Sequence, residues 1–382
     1  MCIRDSFNST PVFLSNPPRS FIGLDIGTSA IKMVEIIDRG KRTDLSAFSY
    51  TKLPEPYTVP SAFSTMNLDD WTHIIKDALD KGQFSSDIVI ASLPNSTVFT
   101  TTITQPNISD NELEQSVRFA ASRIVPTNLE EMTIIWSKEG KTEPLIPLTD
   151  TDNTANTKTG PATNEDSQSA PPISVFVAAI PKSIIAWYQD LASRLDLELS
   201  ALELSSFSLR RLTTGNAKST ILLCDIDTLE TTFHIINRGA IELTYLHDYG
   251  SQNCVSSLIN TTNLDPNTAK DLITGSKKHR LNYSIPQASI NIAFEPILKE
   301  AKRISDKFEQ LNQKPISQTM LLGQGAQAYS LRTLWAQKMN HQTTLANPWR
   351  GLSLAPQLDE RLKNQGPLFA QAVCLAQHHL TM

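Results

Sequence analysis

Residues 21–36 read FIGLDIGTSAIKMVEI. An apolar run ends at Asp25, turns at Gly27, offers the hydroxyls of Thr28 and Ser29 and the ammonium of Lys32, then resumes as a second apolar run to Ile36. Two readings fit. Asp and Gly are turn formers, so the segment makes a β-hairpin. A glycine at a tight turn also leaves backbone N–H groups uncovered by a Cβ, and such groups, with hydroxyls and an ammonium beside them, form an anion-binding concavity. Asp25 cannot meet a phosphate without repulsion, but a carboxylate suits a hydrated Mg2+.

Outward from this stretch the pattern stays regular. Residues 21–50 predict a three-stranded meander. LDDWTHIIKDAL (68–79) carries Leu68, Trp71, Ile74, Ile75, Ala78 and Leu79 at helical spacing. DIVIASLP (87–94) and TVFTTTITQP (97–106) predict strands. Ser109 and Glu112 form a capping box ahead of Leu113, Val117, Ala120, Ala121 and Ile124, and Pro126 stops that helix. MTIIWS and SVFVAAI are strands, separated by residues 139–172, which are rich in Thr, Asn, Asp, Pro and Ser and predict a flexible surface insertion. A helix over 181–197 with Pro181 at its start, a strand at 198–204 and a helix at 205–212 follow; Ser205, Ser206 and Ser208 carry no nucleophile motif. Residues 260–287 read as a polar, turn-rich stretch, and 295–311 as a helix. TMLLGQGAQAYSLRTLWAQKM (319–339) reads strand, glycine loop, helix, and residues 366–379 are a final apolar helix with His378 and His379 expected in solvent.

The opening motif recurs. IGLDIGTSAIKMVEI lies over LLCDIDTLETTFHII, with Asp25 over Asp225, Ile26 over Ile226 and Thr28 over Thr228, 200 residues apart. A duplicated meander-plus-helix unit predicts an α/β protein of two lobes facing each other across a cleft. Asp25 and Asp225 would then approach one metal ion from opposite sides, orient a water and offset charge on a triphosphate. Gly323 and Gly325 either permit a tight strand-to-helix turn or let a nucleotide approach the backbone. Glu300 and Arg303 are either solvated surface charges or an adenosine contact.

Composition narrows the classes. The 382 residues suffice for two or three domains. A net charge of −5 offers no basic field for nucleic acid. Four scattered cysteines without a CxxC pair suit a reducing compartment and argue against a zinc site. No apolar run approaches the ~18 residues of a membrane span, and no signal core is visible, so a cytoplasmic protein without its own membrane anchor is expected. Residues 1–20 read as a disordered leader, and MCIRDS at its head (1–5 or 1–6) as a sequencing-adapter artefact.

GLDIGTSAIKMVEI resembles the first phosphate motif of the actin, sugar-kinase and heat-shock-chaperone superfamily, and more narrowly its PilM branch. LPNSTVFTTTITQP, SDNELEQSVRFAASRIVPTNLEEMTIIW, LLGQGAQAYSLRTLWAQKM and ANPWRGL extend the resemblance in family order from Phe21 to Leu380. It implies duplicated actin-like (ribonuclease H-like) lobes, 21–94 with 198–218 and 219–382, and an inserted SHS2-type small domain at 95–197. It implies Asp25, Gly27, Thr28, Ser29 and Lys32 in the first phosphate motif and Asp225 and Thr228 in the second. Asp25 and Asp225 take the catalytic role and hold Mg2+ through water. Gly323 and Gly325 fall in the adenosine motif, Glu300 and Arg303 on the helix beside it, and Glu203 on the connecting segment. ATP with Mg2+ is the implied cofactor, with slow or absent hydrolysis.

The implied role is a cytoplasmic scaffold of type IV pilus assembly. It would bind the cytoplasmic N-terminal peptide of a PilN-like inner-membrane protein in a groove of the first lobe and the insert, with homo-oligomerisation open. An FtsA-like division protein, a type II secretion platform component and a sugar-kinase-type enzyme are the alternatives. The sequence departs from the family at two places. Asp227 replaces the glycine of the second phosphate motif and adds a negative charge, and Gln324 thins the adenosine motif.

Overall fold

The computed structural model describes residues 19–54, 66–123, 125, 128–138, 146, 148, 172–216, 219–275, 287–354, 362 and 364–380. The leader up to residue 18 and nearly all of the 139–172 insertion lie outside them. Arg19 and Ser20, expected as the end of the leader, instead open the first strand.

Two sheets share one topology. The first holds β1 (Arg19–Ile26), β2 (Ala30–Asp38), β3 (Thr43–Lys52), β4 (Ile88–Leu93), β8 (Glu198–Leu204) and the two-residue β14 (Leu352–Ser353), in the order β14-β3-β2-β1-β4-β8. The second holds β9 (Thr220–Ile226), β10 (Thr231–Asn237), β11 (Ala240–His247), β12 (Gln318–Leu322) and β13 (Gln342–Leu345), in the order β11-β10-β9-β12-β13. In each, an antiparallel meander is extended by parallel strands beside its first member. The repeat seen at Asp25 and Asp225 is therefore a repeat of whole sheets. β1 and β9 lie centrally, covered on both faces, which is why each is a nearly continuous apolar run.

α1 (Leu68–Gly82) begins where the Asn67 side chain accepts from Asp70 N–H at 2.8 Å, and it buries Trp71, Ile75 and Ala78 against the first sheet. The small domain runs strand, helix, strand, strand. It comprises β5 (Phe99–Gln105), α2 (Asp110–Ser122), β6 (Met132–Lys138) and β7 (Ile173–Pro181), with sheet order β5-β7-β6. Ser109 N–H and Oγ both donate to Glu112, the expected capping box. Leu113, Val117 and Ala121 close a separate core with Trp136, Val175 and Val177. α3 (Lys182–Arg194), expected with the insert, packs on the first sheet instead. Its Ile185, Tyr188 and Leu191 join the core of that lobe, and Tyr188 Oη donates to Ser92 O at 2.9 Å.

α4 (Ser205–Leu209) leads into the second lobe. There α5 (Ser251–Thr262), α6 (Pro266–Thr274), α7 (Gln287–Asn312) and α8 (Leu331–Met339) surround the sheet. α6 lies inside the stretch read as turn-rich. Asp265 caps it by accepting from Asn267 and Thr268 N–H, Pro266 sits in its first turn, and Gly275 ends it in the left-handed region. Only four of its residues, Thr268, Ala269, Leu272 and Ile273, are buried, which is a face too short to announce a helix.

α9 (Gly366–Ala376) is apolar all round and buried, because it wedges between the lobes. Phe369, Val373 and Ala376 pack on Val34 and Ile36 of the first sheet. The fit on β1 depends on a missing Cβ: one added at Gly23 would lie 2.0 Å from Ala372 O and 2.6 Å from Ala376 N. The two histidines after α9 are not in solvent as expected. His378 is buried against Glu203 with Arg211, and His379 bonds Ser200 Oγ at 2.9 Å. Glu203 also takes a bidentate pair from Arg211, at 2.6 and 2.9 Å, and is fully buried. This network pins the connecting segment to the C-terminal helix. Among the described residues no helix is long and apolar enough to cross a membrane.

Candidate functional site

The two meanders present their first hairpins to each other across the cleft. Each turn closes the same way: Gly27 N–H donates to Ala30 O at 3.0 Å, and Asp227 N–H to Glu230 O at 3.0 Å. Register does the rest. Asp25 sits opposite Lys32 in the β1–β2 pair, so Lys32 Nζ reaches Asp25 Oδ2 at 2.9 Å, with both side chains buried. Ser92 Oγ donates to the other oxygen of Asp25 at 3.3 Å. Asp225 lies between Thr232 of β10 and Leu322 of β12.

The hairpins touch directly. Thr28 N–H and Thr28 Oγ1 both donate to Asp227 Oδ2, at 3.3 and 3.1 Å. Ser29 Oγ and Thr228 Oγ1 are 2.5 Å apart, and Gln324 Oε1 accepts from Thr228 Oγ1 at 2.8 Å and from Ser29 Oγ at 3.3 Å. Gln324 comes from the glycine loop after β12, which is pressed against the second hairpin. A Cβ at Gly323, where φ is +83°, would meet Asp225 Oδ1 at 2.4 Å, and one at Gly325 would meet Ile226 Cγ2 at 2.5 Å. These two glycines admit the protein's own backbone and side chains.

What remains is a cavity of about 50 Å3, lined among others by Asp25, Gly27, Thr28, Lys32, Asp225, Asp227, Glu230 and Gly323. Outside it an open groove of about 1300 Å3 runs between β3 and α1 on one side and the end of α6 on the other, with Gln324 in its wall. The inner cavity places four carboxyls around one ammonium. Burial, the Asp227 charge and Asp25 push the Asp225 carboxyl up to about 7, against the pull of Lys32. Burial, then Asp227, Asp225 and Asp248, push Glu230 up to about 8. Lys32 loses to burial but gains more from Asp25, Asp227 and Asp225, so its ammonium is held well above the ordinary range.

Six of the site residues expected from sequence, Asp25, Gly27, Thr28, Lys32, Asp225 and Gly323, therefore meet at one place, with Ser29 and Thr228 bridging above the cavity and Gly325 packed behind it. Glu300 and Arg303 do not join them. They pair with each other at 2.6 and 2.9 Å, and Arg303 lies 5.4 Å over the Tyr245 ring beside β11, lining neither the cavity nor the groove. Glu203 belongs to the buried network described above. Sequence reading missed Glu230 and Ser92, which carry no motif, and it saw Asp227 and Gln324 only as defects.

The inner cavity has no room for the triphosphate and Mg2+ implied by the resemblance. A cavity of 50 Å3 holds a few waters, whereas ligand pockets start near 300 Å3. The donors a phosphate needs at Thr28 already serve Asp227, and the cation at Lys32 already serves Asp25. Among the described residues no three His, Cys, Asp or Glu side chains are grouped as a metal ion requires.

Two solved structures share the fold over nearly the whole chain. The "PilM-PilN type IV pilus biogenesis complex" superposes with a TM-score of 0.70 at 20% identity, covering 93% of this chain and 97% of that one. The ethanolamine utilization protein EutJ from Carboxydothermus hydrogenoformans gives 0.51 at 11% identity, covering 95% and 90%. At these identities the likeness is one of fold. The sequence goes further: matched over residues 23–144 and 164–379, the chain belongs to the type IV pilus assembly protein PilM family.

Proposed function

We propose that this chain is an actin-like scaffold of type IV pilus assembly that holds the cytoplasmic N-terminal peptide of a PilN-like inner-membrane protein, and lies beneath that membrane through its partner. The family match carries this reading. It runs through both lobes and through the small domain, and a solved relative of the same fold is a PilM–PilN complex. The strand-helix-strand-strand order of β5, α2, β6 and β7 supports an SHS2-type insert, the element expected to form one wall of the peptide groove. Among the described residues β5 and β6 are edge strands, each paired only with β7, so an extended peptide has a backbone ladder to join.

In this reading Asp25, Gly27, Thr28, Ser29, Lys32, Asp225, Thr228, Gly323 and Gly325 gather at the closed cleft where the resemblance puts ATP–Mg2+, and hydrolysis is slow or absent. The test is calorimetric titration of the purified chain with a synthetic peptide matching the cytoplasmic N-terminus of the PilN-like protein encoded beside it. Saturable binding at one peptide per chain is expected, lost on scrambling the peptide. No heat and no co-purification with that protein would remove the proposal.

A further inference from the structure

We propose that Asp227 is a built-in substitute for phosphate, which with Gln324 clasps the two lobes shut without any nucleotide and leaves a latent nucleotide site beneath. A backbone N–H and a hydroxyl converging on one anionic oxygen is the donor set that phosphate-binding loops offer their ligand. Thr28 offers that set, and the oxygen it meets belongs to a carboxylate from the opposite lobe, 199 residues away in sequence. The second strut has the same character. Ser29 and Thr228, the hydroxyl donors of the two hairpins, spend their hydrogen bonds on each other and on the Gln324 amide oxygen.

Asp227 and Gln324 supply acceptors, at hydrogen-bonding distance, to the N–H and hydroxyl donors of the two hairpins. Charge points the same way, since one lysine among four carboxyls leaves no field to attract a polyphosphate. Two-lobed cleft proteins close by letting a ligand bridge the lobes. Here the bridge is covalently part of the chain, so the closed form is the resting form.

The test uses the full chain and Asp227→Gly, with ATP–Mg2+ as the probe, read by thermal melting and by amide hydrogen exchange of residues 26–30. The natural chain should show protected amides without nucleotide and no change in exchange or melting temperature at millimolar ATP–Mg2+. Asp227→Gly should lose that protection, regain it with ATP–Mg2+, and bind the nucleotide at least about tenfold more tightly than the parent. Adding Gln324→Gly should widen the gain. The proposal is overturned if ATP–Mg2+ raises the melting temperature of the natural chain, or if Asp227→Gly folds, by circular dichroism, yet gains no nucleotide. Should Asp227→Gly fail to fold, the two measurements on the natural chain still decide. Neither arm bears on peptide binding, so failure here leaves the scaffold reading to its own experiment.

Discussion

Replacing Glu203 by glutamine tests how the connecting segment is pinned to the C-terminal helix. The Glu203 side chain is 0% exposed and that of Arg211 9%, and two hydrogen bonds of 2.6 and 2.9 Å join them. Glutamine keeps the shape but removes the charge, and it turns an N–H toward a guanidinium that has only N–H groups to offer. Breaking a buried pair from one side costs about 3–5 kcal/mol because the other charge stays behind. Arg211 keeps Cys374 O as an acceptor at 3.2 Å and lies 3.3 Å from His378 Nδ1, which offsets part of the loss. We therefore expect Glu203→Gln to lower unfolding free energy by roughly 2–4 kcal/mol, seen as a lower urea midpoint at neutral pH with an unchanged slope. Removing both charges in Glu203→Gln/Arg211→Met should recover much of the loss, since no unpaired ion then remains buried. A single variant that loses less than about 1 kcal/mol, or a double variant less stable than the single, would show that this network does not hold the connector.

Two further outcomes are expected. Gly23→Ala should cost about 3 kcal/mol, at the upper end of overpacking penalties, because the new Cβ meets backbone atoms of α9 rather than a side chain that can turn aside; a urea midpoint unchanged from the parent would contradict the packing of α9 on β1. Stability should also fall as pH rises from about 6.5 to 8, because Asp225 and Glu230 are held near 7 and 8 in the folded chain against 3.8 and 4.5 ordinarily, so the folded state carries the extra protons there. Each contributes up to about 1.4 kcal/mol per pH unit, and the slope should flatten in Asp227→Gly, where both lose their nearest like charge. Below about 6.5 the buried His234, pushed down to about 3, acts in the opposite sense, so the measurement belongs above that range. Stability that rises between pH 7 and 8 would refute the charge arrangement.

Both central strands are legible from their nearly continuous apolar runs, and the alignment of Asp25 with Asp225 announces the duplication. Helices with a full apolar face, such as 68–79, were equally plain. α6 was not, because its signals are a cap, a proline and a glycine around a face of four residues, and each of these also marks a turn. His378 was misread because burial of a polar side chain depends on distant partners, here Glu203 and Arg211, which no local pattern reveals. The cleft divided in the same way. The hairpin residues could be named from spacing, whereas the clasp depends on Asp227 meeting Thr28 across the cleft, a contact set by how two lobes close. The resemblance places Glu300 and Arg303 beside an adenosine, whereas the helix turns them toward Tyr245 as a surface pair.

The placement of α9 has a consequence for how the molecule is made. The main core of the second sheet draws on residues 222–345 alone, whereas the face of β1 and β2 is covered by Trp349, Phe369, Val373 and Ala376. A chain emerging from the ribosome can therefore close that core of the second sheet while the face of β1 and β2, and the face of the second sheet that packs on Ala370, still stand bare. Gly23 waits for Ala372. Until α9 is made the nascent protein carries an uncovered apolar face on β1 and β2, the kind of surface that factors shielding chains during translation would bind.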